Sequence, residues 1–212
     1  FASGSNDAGY MRGLDQAGHA IGVAAPRVTR PGAVELGAVE GSYVFVDSGA
    51  FSEVDWNEST KRWDIIAPLN WAKILGLYAE LAPKLGSRLY VVAPDRVGDQ
   101  QETLRRMQLY RAEMQALHAQ GVNIIVPVQR GSMPMAEMWP AALRALGLVS
   151  STSVIAGIPS KKDATPLPEL ERFLGSIRAP DAIHFLGVGP KNKKWPAILA
   201  ATQRLAPCAF VY

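Results

Sequence analysis

Several apolar runs of this sequence end on residues that could contact or transform a ligand. They are Asp47, Ser48, Asp95, Gln129 and Gly157, which follow or close the runs at 43–46, 89–93, 124–128 and 154–156. A carboxylate can move protons and accept hydrogen bonds, whereas an amide or a backbone N–H can donate them. Polar groups at the ends of successive strands therefore predict an active site.

Helical periodicity alternates with these strand-like runs. Apolar residues recur at spacings of three or four over 67–85, 99–121, 135–146, 165–177 and 195–205, which indicates amphipathic helices. Apolar strands that alternate with helices predict a parallel sheet covered by helices. Because the polar candidates come from several successive strand ends rather than from one switch point, the pattern favours a barrel over an open doubly wound sheet.

The expected fold is thus α/β, a (β/α)8 barrel of the TIM type. Further runs at 1–4, 182–186 and 208–212 bring the strands that the sequence predicts to seven. Residues 17–42 have weak periodicity with prolines and glycines, which is typical of an irregular loop. We expect residues 1–212 to form a single domain.

Composition narrows the class of protein. The chain has 212 residues, of which 48% are hydrophobic and 19% charged, as in a globular domain with one core. No apolar stretch reaches the roughly 20 residues of a membrane-spanning helix, and the N-terminus lacks the order of a signal peptide. We therefore expect a cytoplasmic protein without membrane partners. The oligomeric state stays open.

Metal and cofactor sites are not expected. The single cysteine, Cys208, excludes an internal disulfide and a cysteine-cluster zinc site. His19, His118 and His184 lack metal-ligand spacing, and Gly187-Val188-Gly189 is too short for a dinucleotide fingerprint.

Five ordered motifs resemble a known family. They are Asp47-Ser48-Gly49-Ala50-Phe51, Pro94-Asp95, Val128-Gln129-Arg130-Gly131-Ser132, Ala156-Gly157-Ile158 and Phe185-Leu186-Gly187-Val188-Gly189. Their order and spacing are similar to those of the guanine transglycosylases (the queuine and archaeosine tRNA-guanine type), and nearest to the branch that modifies DNA. The resemblance implies a glycosyltransferase that replaces guanine in DNA with a free 7-deazaguanine base through a covalent aspartyl-sugar intermediate. Transfer RNA is the alternative acceptor.

The resemblance also implies a role for each site residue. Asp47 would handle protons and contact the base, and Asp95 would accept hydrogen bonds from its donor edge. Gln129 and the backbone N–H of Gly157 would meet the carbonyl side. Phe51 and Leu186 would enclose the ring, with Ser48 beside them. The chemistry is consistent, since a guanine edge offers two donors beside one acceptor.

This sequence departs from the family pattern at several points. The tRNA enzymes have two glycines where this chain has Gly49-Ala50 and Ala156-Gly157, and they have a zinc site that is absent here. The nucleophilic aspartate of the family would follow the seventh strand, but no aspartate lies between Asp181 and Tyr212. We therefore expect the nucleophile, and the end of the barrel, beyond Tyr212.

Basic residues cluster near the predicted strand ends. Arg96, Arg130, Lys161, Lys162, Lys191, Lys193 and Lys194 could bind nucleic-acid phosphates, which the net charge of +3 allows. A solvated charged rim is the alternative. Arg105, Arg106 and Arg111 are expected on the outer barrel surface.

Two other functions remain open at this stage. The missing nucleophile allows a barrel that binds deazapurines or nucleic acid without catalysis. The lysines allow a sugar-phosphate enzyme that uses a Schiff base, although such lysines normally rise from a buried strand. Trp56 and Trp63 could form a partner surface or anchor a loop.

Overall fold

The computed structural model describes residues 2–3, 7–60, 62–160, 165–176, 179–187 and 193–211. The strands are β1 (Ala2–Ser3), β2 (Ile21–Ala24), β3 (Val44–Asp47), β4 (Val54–Asn57), β5 (Arg62–Ile65), β6 (Leu89–Val92), β7 (Asn123–Pro127), β8 (Val154–Pro159), β9 (Ala182–Leu186) and β10 (Phe210–Val211). The α-helices are α1 (Ala8–Gln16), α2 (Arg30–Gly37), α3 (Trp71–Leu85), α4 (Gln100–Leu109), α5 (Arg111–Ala119), α6 (Met135–Leu146), α7 (Leu167–Leu174) and α8 (Trp195–Leu205).

Local sequence signals fix where several helices begin and end. The side chains of Asp7, Asn70 and Asp99 cap α1, α3 and α4 by accepting backbone N–H bonds. Helix α6 ends at Gly147, whose φ of +64° favours glycine.

Eight strands form one parallel sheet in the order β1-β2-β3-β6-β7-β8-β9-β10, while β4 and β5 form a separate antiparallel hairpin. The sheet order follows the chain without reversal. The helices pack on one face, where Leu36, Tyr78, Met107 and Phe173 join the main core. A doubly wound sheet would have helices on both faces, so the arrangement confirms the α/β barrel class.

The other face of the sheet forms the barrel interior. It has its own small apolar cluster around Tyr90, Val92, Ile125 and Ile155. The ring of Phe45 on β3 stacks on that of His184 on β9, with centroids 5.0 Å apart, although β6, β7 and β8 lie between these strands in the sheet. This contact requires a curled sheet.

The prediction of an irregular loop at 17–42 is wrong. This segment contains β2, a 3₁₀ turn at Ala25–Arg27 and α2, so the sheet has eight strands rather than the seven predicted. Strand β2 is short and contains Gly22, and α2 begins at Arg30-Pro31-Gly32 after a Thr29 cap. Proline is tolerated in a first helical turn. Short elements that contain proline and glycine nevertheless show little periodicity of apolar residues, so the sequence did not indicate them.

Two other elements differ from the sequence prediction. The helix predicted at 99–121 is divided at Tyr110 into α4 and α5, and the β4–β5 hairpin was not predicted. Within the described ranges, no helix is long and apolar enough to cross a membrane.

Candidate functional site

A cavity of about 720 Å³ opens at the carboxyl ends of the strands, beside the β4–β5 hairpin. Its volume falls within the range of small-molecule sites. Seven of the predicted site residues line it: Asp47, Ser48, Phe51, Asp95, Gln129, Arg130 and Leu186. The turns after β3, β6, β7 and β9 therefore converge on one cavity.

Asp95 is the most deeply buried acid of the cavity, with 3% of its surface exposed. Its Oδ1 accepts a hydrogen bond from Ser48 Oγ at 3.2 Å, and its Oδ2 accepts one from Gln129 Nε2 at 2.8 Å. Burial, followed by the charge of Asp47, raises the pKa of Asp95 to about 7 against the opposing effect of these hydrogen bonds. Asp95 therefore titrates near neutral pH.

Asp47 closes β3 and is half-buried in the cavity wall. Its Oδ1 accepts the backbone N–H of Gly49 at 2.6 Å. Gly49 has a φ of +76°, and a Cβ at that position would be 2.6 Å from Cγ of Pro26. The turn thus needs glycine, and it directs the Asp47 carboxylate toward the cavity next to Asp95.

Gln129 supports Asp95 rather than pointing freely at a ligand. Its side chain is 5% exposed, and its Oε1 accepts the backbone N–H of Gly98 at 3.3 Å. With Nε2 bonded to Asp95, the amide connects the loops after β6 and β7. Both the oxygen and the nitrogen of the side-chain amide are therefore hydrogen-bonded within the protein.

Aromatic side chains form one wall of the cavity. Trp63 meets Phe51 and Trp56 edge to face, with centroids 5.9 and 5.2 Å apart. A Cβ at Gly98 would collide with the Trp63 ring, so this glycine lets the hairpin pack closely. Trp56 and Trp63 are paired across the two strands of the hairpin. The alternation of apolar and polar residues on either side of the turn is the sequence signal that could have indicated this hairpin.

Arg106 was wrongly placed on the outer surface. It is 6% exposed and bonds to Glu53, Glu102 and the carbonyl oxygen of Asp95. Burial alone would lower the pKa of Arg106, but the hydrogen bonds of Glu53 and Glu102 raise it overall. Nothing in the helical pattern distinguishes Arg106 from Arg105, because its partner Glu53 is far away in sequence.

Other predicted residues do not line this cavity. Gly157 lies within β8, where its carbonyl oxygen accepts the N–H of Val128 at 2.8 Å. Arg96 lines a neighbouring cavity, and Lys193 and Lys194 are exposed just before α8. Lys161, Lys162 and Lys191 lie outside the described residues.

Arg130 lines the cavity, and its Nε lies 3.7 Å from Glu169 Oε2.

Among the described residues, no group of three or more histidines, cysteines or acids is arranged to hold a metal ion.

Comparisons with known proteins support the fold. No family model matches the chain, and no curated protein matches it. Among solved structures it is similar to D-allulose 3-epimerase from Methylomonas sp. in complex with D-allulose, with a TM-score of 0.52, 13% identity and coverage of 99% of this chain and 79% of that chain. It is also similar to D-psicose 3-epimerase in the presence of D-fructose, with a TM-score of 0.51, 12% identity and coverage of 96% and 77%. At such identity the likeness shows the fold.

The transglycosylase interpretation is wrong. The solved structures described above are sugar epimerases, and no family model matches the chain. The expected base exchange, the DNA or tRNA acceptor, the free 7-deazaguanine and the inactive nucleic-acid-binding alternative fall with it. Turns after parallel strands of any barrel favour short polar and glycine motifs, so their order alone did not identify the family.

Proposed function

We propose that this chain is an enzyme that moves protons on a small polyhydroxylated molecule of the sugar type, as an isomerase or epimerase does. The observation that carries the proposal is the pair of carboxyl groups, Asp95 and Asp47, in one cavity. Asp95 has a pKa of about 7, which suits a group that donates a proton near neutral pH. A carboxyl pair in different environments is a recurrent arrangement for acid and base.

For a sugar with a carbonyl group, the two acids act on the adjacent carbon. Asp47 removes its proton, and the electron pair of the broken C–H bond gives an enediolate. Asp95 donates its proton to this carbon, and the electron pair of the enediolate forms the new C–H bond. Asp47 ends protonated and Asp95 ionised, so the reverse reaction or exchange with solvent restores the starting state.

The rest of the cavity supports a ligand of this kind. The aromatic faces of Phe51, Trp56 and Trp63 offer flat apolar surfaces for the C–H face of a ring. The acidic groups offer acceptors for hydroxyl groups. The sugar epimerases that share the fold at low identity agree with this choice of substrate.

Solvent deuterium exchange tests the proposal directly. The chain is incubated in D₂O with a panel of ketoses and aldoses, and mass spectrometry measures deuterium bound to carbon. We expect incorporation with at least one sugar, and its loss in Asp47→Asn and Asp95→Asn. No exchange across the panel would reject the proposal.

Asp181→Asn is the matched control. Asp181 is exposed at the amino end of β9, where its Oδ2 accepts a hydrogen bond from Ser150 Oγ at 2.6 Å. It lies at the end of the sheet remote from the cavity, so this variant should exchange deuterium at the wild-type rate. Equal losses in all three variants would show that the two cavity acids have no special role.

A further inference from the structure

A second cavity, of about 450 Å³, adjoins the first. Five residues line both cavities: Trp56, Trp63, Val97, Gly98 and Gly131. A ligand of moderate size in the first cavity could therefore extend into the second past the Trp63 ring.

The two cavities differ in charge. The first is lined by three acids, Asp47, Glu58 and Asp95, and by Arg130, whereas the basic residues that line the second are Arg62 and Arg96. In the part of the chain that the structure describes, neither of these arginines forms an ion pair with an acid. The second cavity is thus more basic than the first.

One acid, Asp99, does line the second cavity, but it has another role. Its Oδ1 accepts the backbone N–H of Glu102 at 2.9 Å and so caps α4. Arg62 and Arg96 against Asp99 leave one net positive charge at the wall.

The backbone fixes the position of Arg96. Its N–H donates to Thr103 Oγ1 at 2.9 Å, and its carbonyl oxygen accepts the same hydroxyl at 3.1 Å and the N–H of Asp99 at 3.2 Å. The Arg96 side chain is half-buried. Because this segment is already ordered, binding a ligand there costs less conformational entropy.

We propose that the second cavity binds an anionic group of the substrate, which makes the substrate a phosphorylated or carboxylated sugar. The inference rests on the proposed function for the identity of the sugar part. Arg62 and Arg96 would hold the oxyanion through paired N–H bonds, as guanidinium groups do with phosphate and carboxylate. The hydroxyl of Ser132, in the same wall, adds a neutral donor.

Binding of inorganic phosphate tests this subsite without turnover. Calorimetry at constant ionic strength measures the Kd of phosphate for the wild type, Arg96→Gln and Arg62→Gln. We expect each variant to weaken binding by about tenfold or more, since each removes charge-assisted hydrogen bonds. Acetate in a parallel titration distinguishes the sources of the anion, because tighter binding of phosphate indicates a phosphate ester and tighter binding of acetate a sugar acid.

Arg144→Gln is the control for lost positive charge. Arg144 is exposed in the last turn of α6, at the opposite end of the sheet, and its loss should leave the Kd unchanged. Absence of phosphate and acetate binding, or equal binding by the Arg62→Gln Arg96→Gln double variant, would overturn the proposal. Asp47→Asn should still bind phosphate, so failure of the deuterium experiment alone would reject the proposed reaction and leave the anion subsite intact.

Discussion

Arg106 and Glu53 form a buried two-point ion pair, with Nη1–Oε2 and Nη2–Oε1 distances of 2.6 and 2.8 Å. Nη1 of Arg106 also donates to the carbonyl oxygen of Asp95 at 2.8 Å. Glu53 ends the 3₁₀ turn that follows Asp47. One buried cation therefore joins the two loops that hold the cavity carboxyl groups.

Arg106→Gln should strongly destabilise the protein. It leaves Glu53, which is 2% exposed, as an uncompensated buried charge, and breaking such a pair costs about 3–5 kcal/mol. Urea denaturation measures the change in the free energy of unfolding. Arg105→Gln is the matched control, because the neighbouring Arg105 is exposed and bonds to Glu102 alone among the described residues. Similar losses in both variants would contradict the role given to Arg106.

Asp95 should make stability fall as the pH rises toward neutrality. Its pKa is about 7 in the folded chain against an ordinary value of 3.8, so the folded state keeps a proton that the unfolded state has lost. The contribution of Asp95 to the free energy of unfolding does not change with pH below about pH 4. It falls as the pH rises from about 4 to about 7 and is constant above that. The total loss of stability is up to about 4 kcal/mol. Asp95→Asn should remove this dependence.

The check is the difference in free energy of unfolding between wild type and Asp95→Asn, measured by urea denaturation from pH 4 to pH 8. The difference should change in favour of the variant as the pH rises. A constant difference would mean that Asp95 titrates near its ordinary pKa. Proton donation by Asp95 also predicts that deuterium exchange falls above about pH 7.

Gly98→Ala should displace the aromatic wall. Gly98 has a φ of +72°, and an added Cβ would collide with the Trp63 ring. Gly18→Ala is a close control, since Gly18 has a φ of +70° with no atom within 4 Å of the new Cβ. Both variants bear the backbone strain of about 1–2 kcal/mol, but only Gly98→Ala should shift the Trp63 indole resonance in an NMR spectrum. An unmoved resonance would contradict the packing described.

Gly157→Ala should destabilise the barrel by about 1–3 kcal/mol through overpacking. Its Cβ would lie 2.9 Å from Cγ2 of Ile125 and 3.1 Å from Cδ1 of Leu186, which lines the cavity. Gly76→Ala provides the opposite expectation, because Gly76 is exposed within α3 with open space around it. That variant should be more stable by about 0.5–1 kcal/mol. Thermal denaturation measures both changes in stability, which should be opposite in sign.

The alternation of apolar runs and periodic helices was sufficient to predict the barrel class and most element positions. Helix α6 at 135–146 and strand β9 at 182–186 begin and end where the sequence placed them. Polar residues after parallel strands necessarily lie at one end of the sheet. The sequence could therefore predict that Asp47, Asp95 and Gln129 share a site.

Only the tertiary structure decided how those residues act. Gln129 bonds to Asp95, Arg106 turns inward to Glu53, and Trp63 packs on Gly98. Each contact joins residues distant in sequence, and local periodicity contains no information about them. The raised pKa of Asp95 likewise depends on burial and on a neighbouring charge, which the fold creates by bringing separate loops together. The sequence pattern thus determined the arrangement of strands and helices, because the local periodicity of apolar residues decides which face of each element is buried. Packing between residues distant in sequence determined the hydrogen bonds and the pKa of the site.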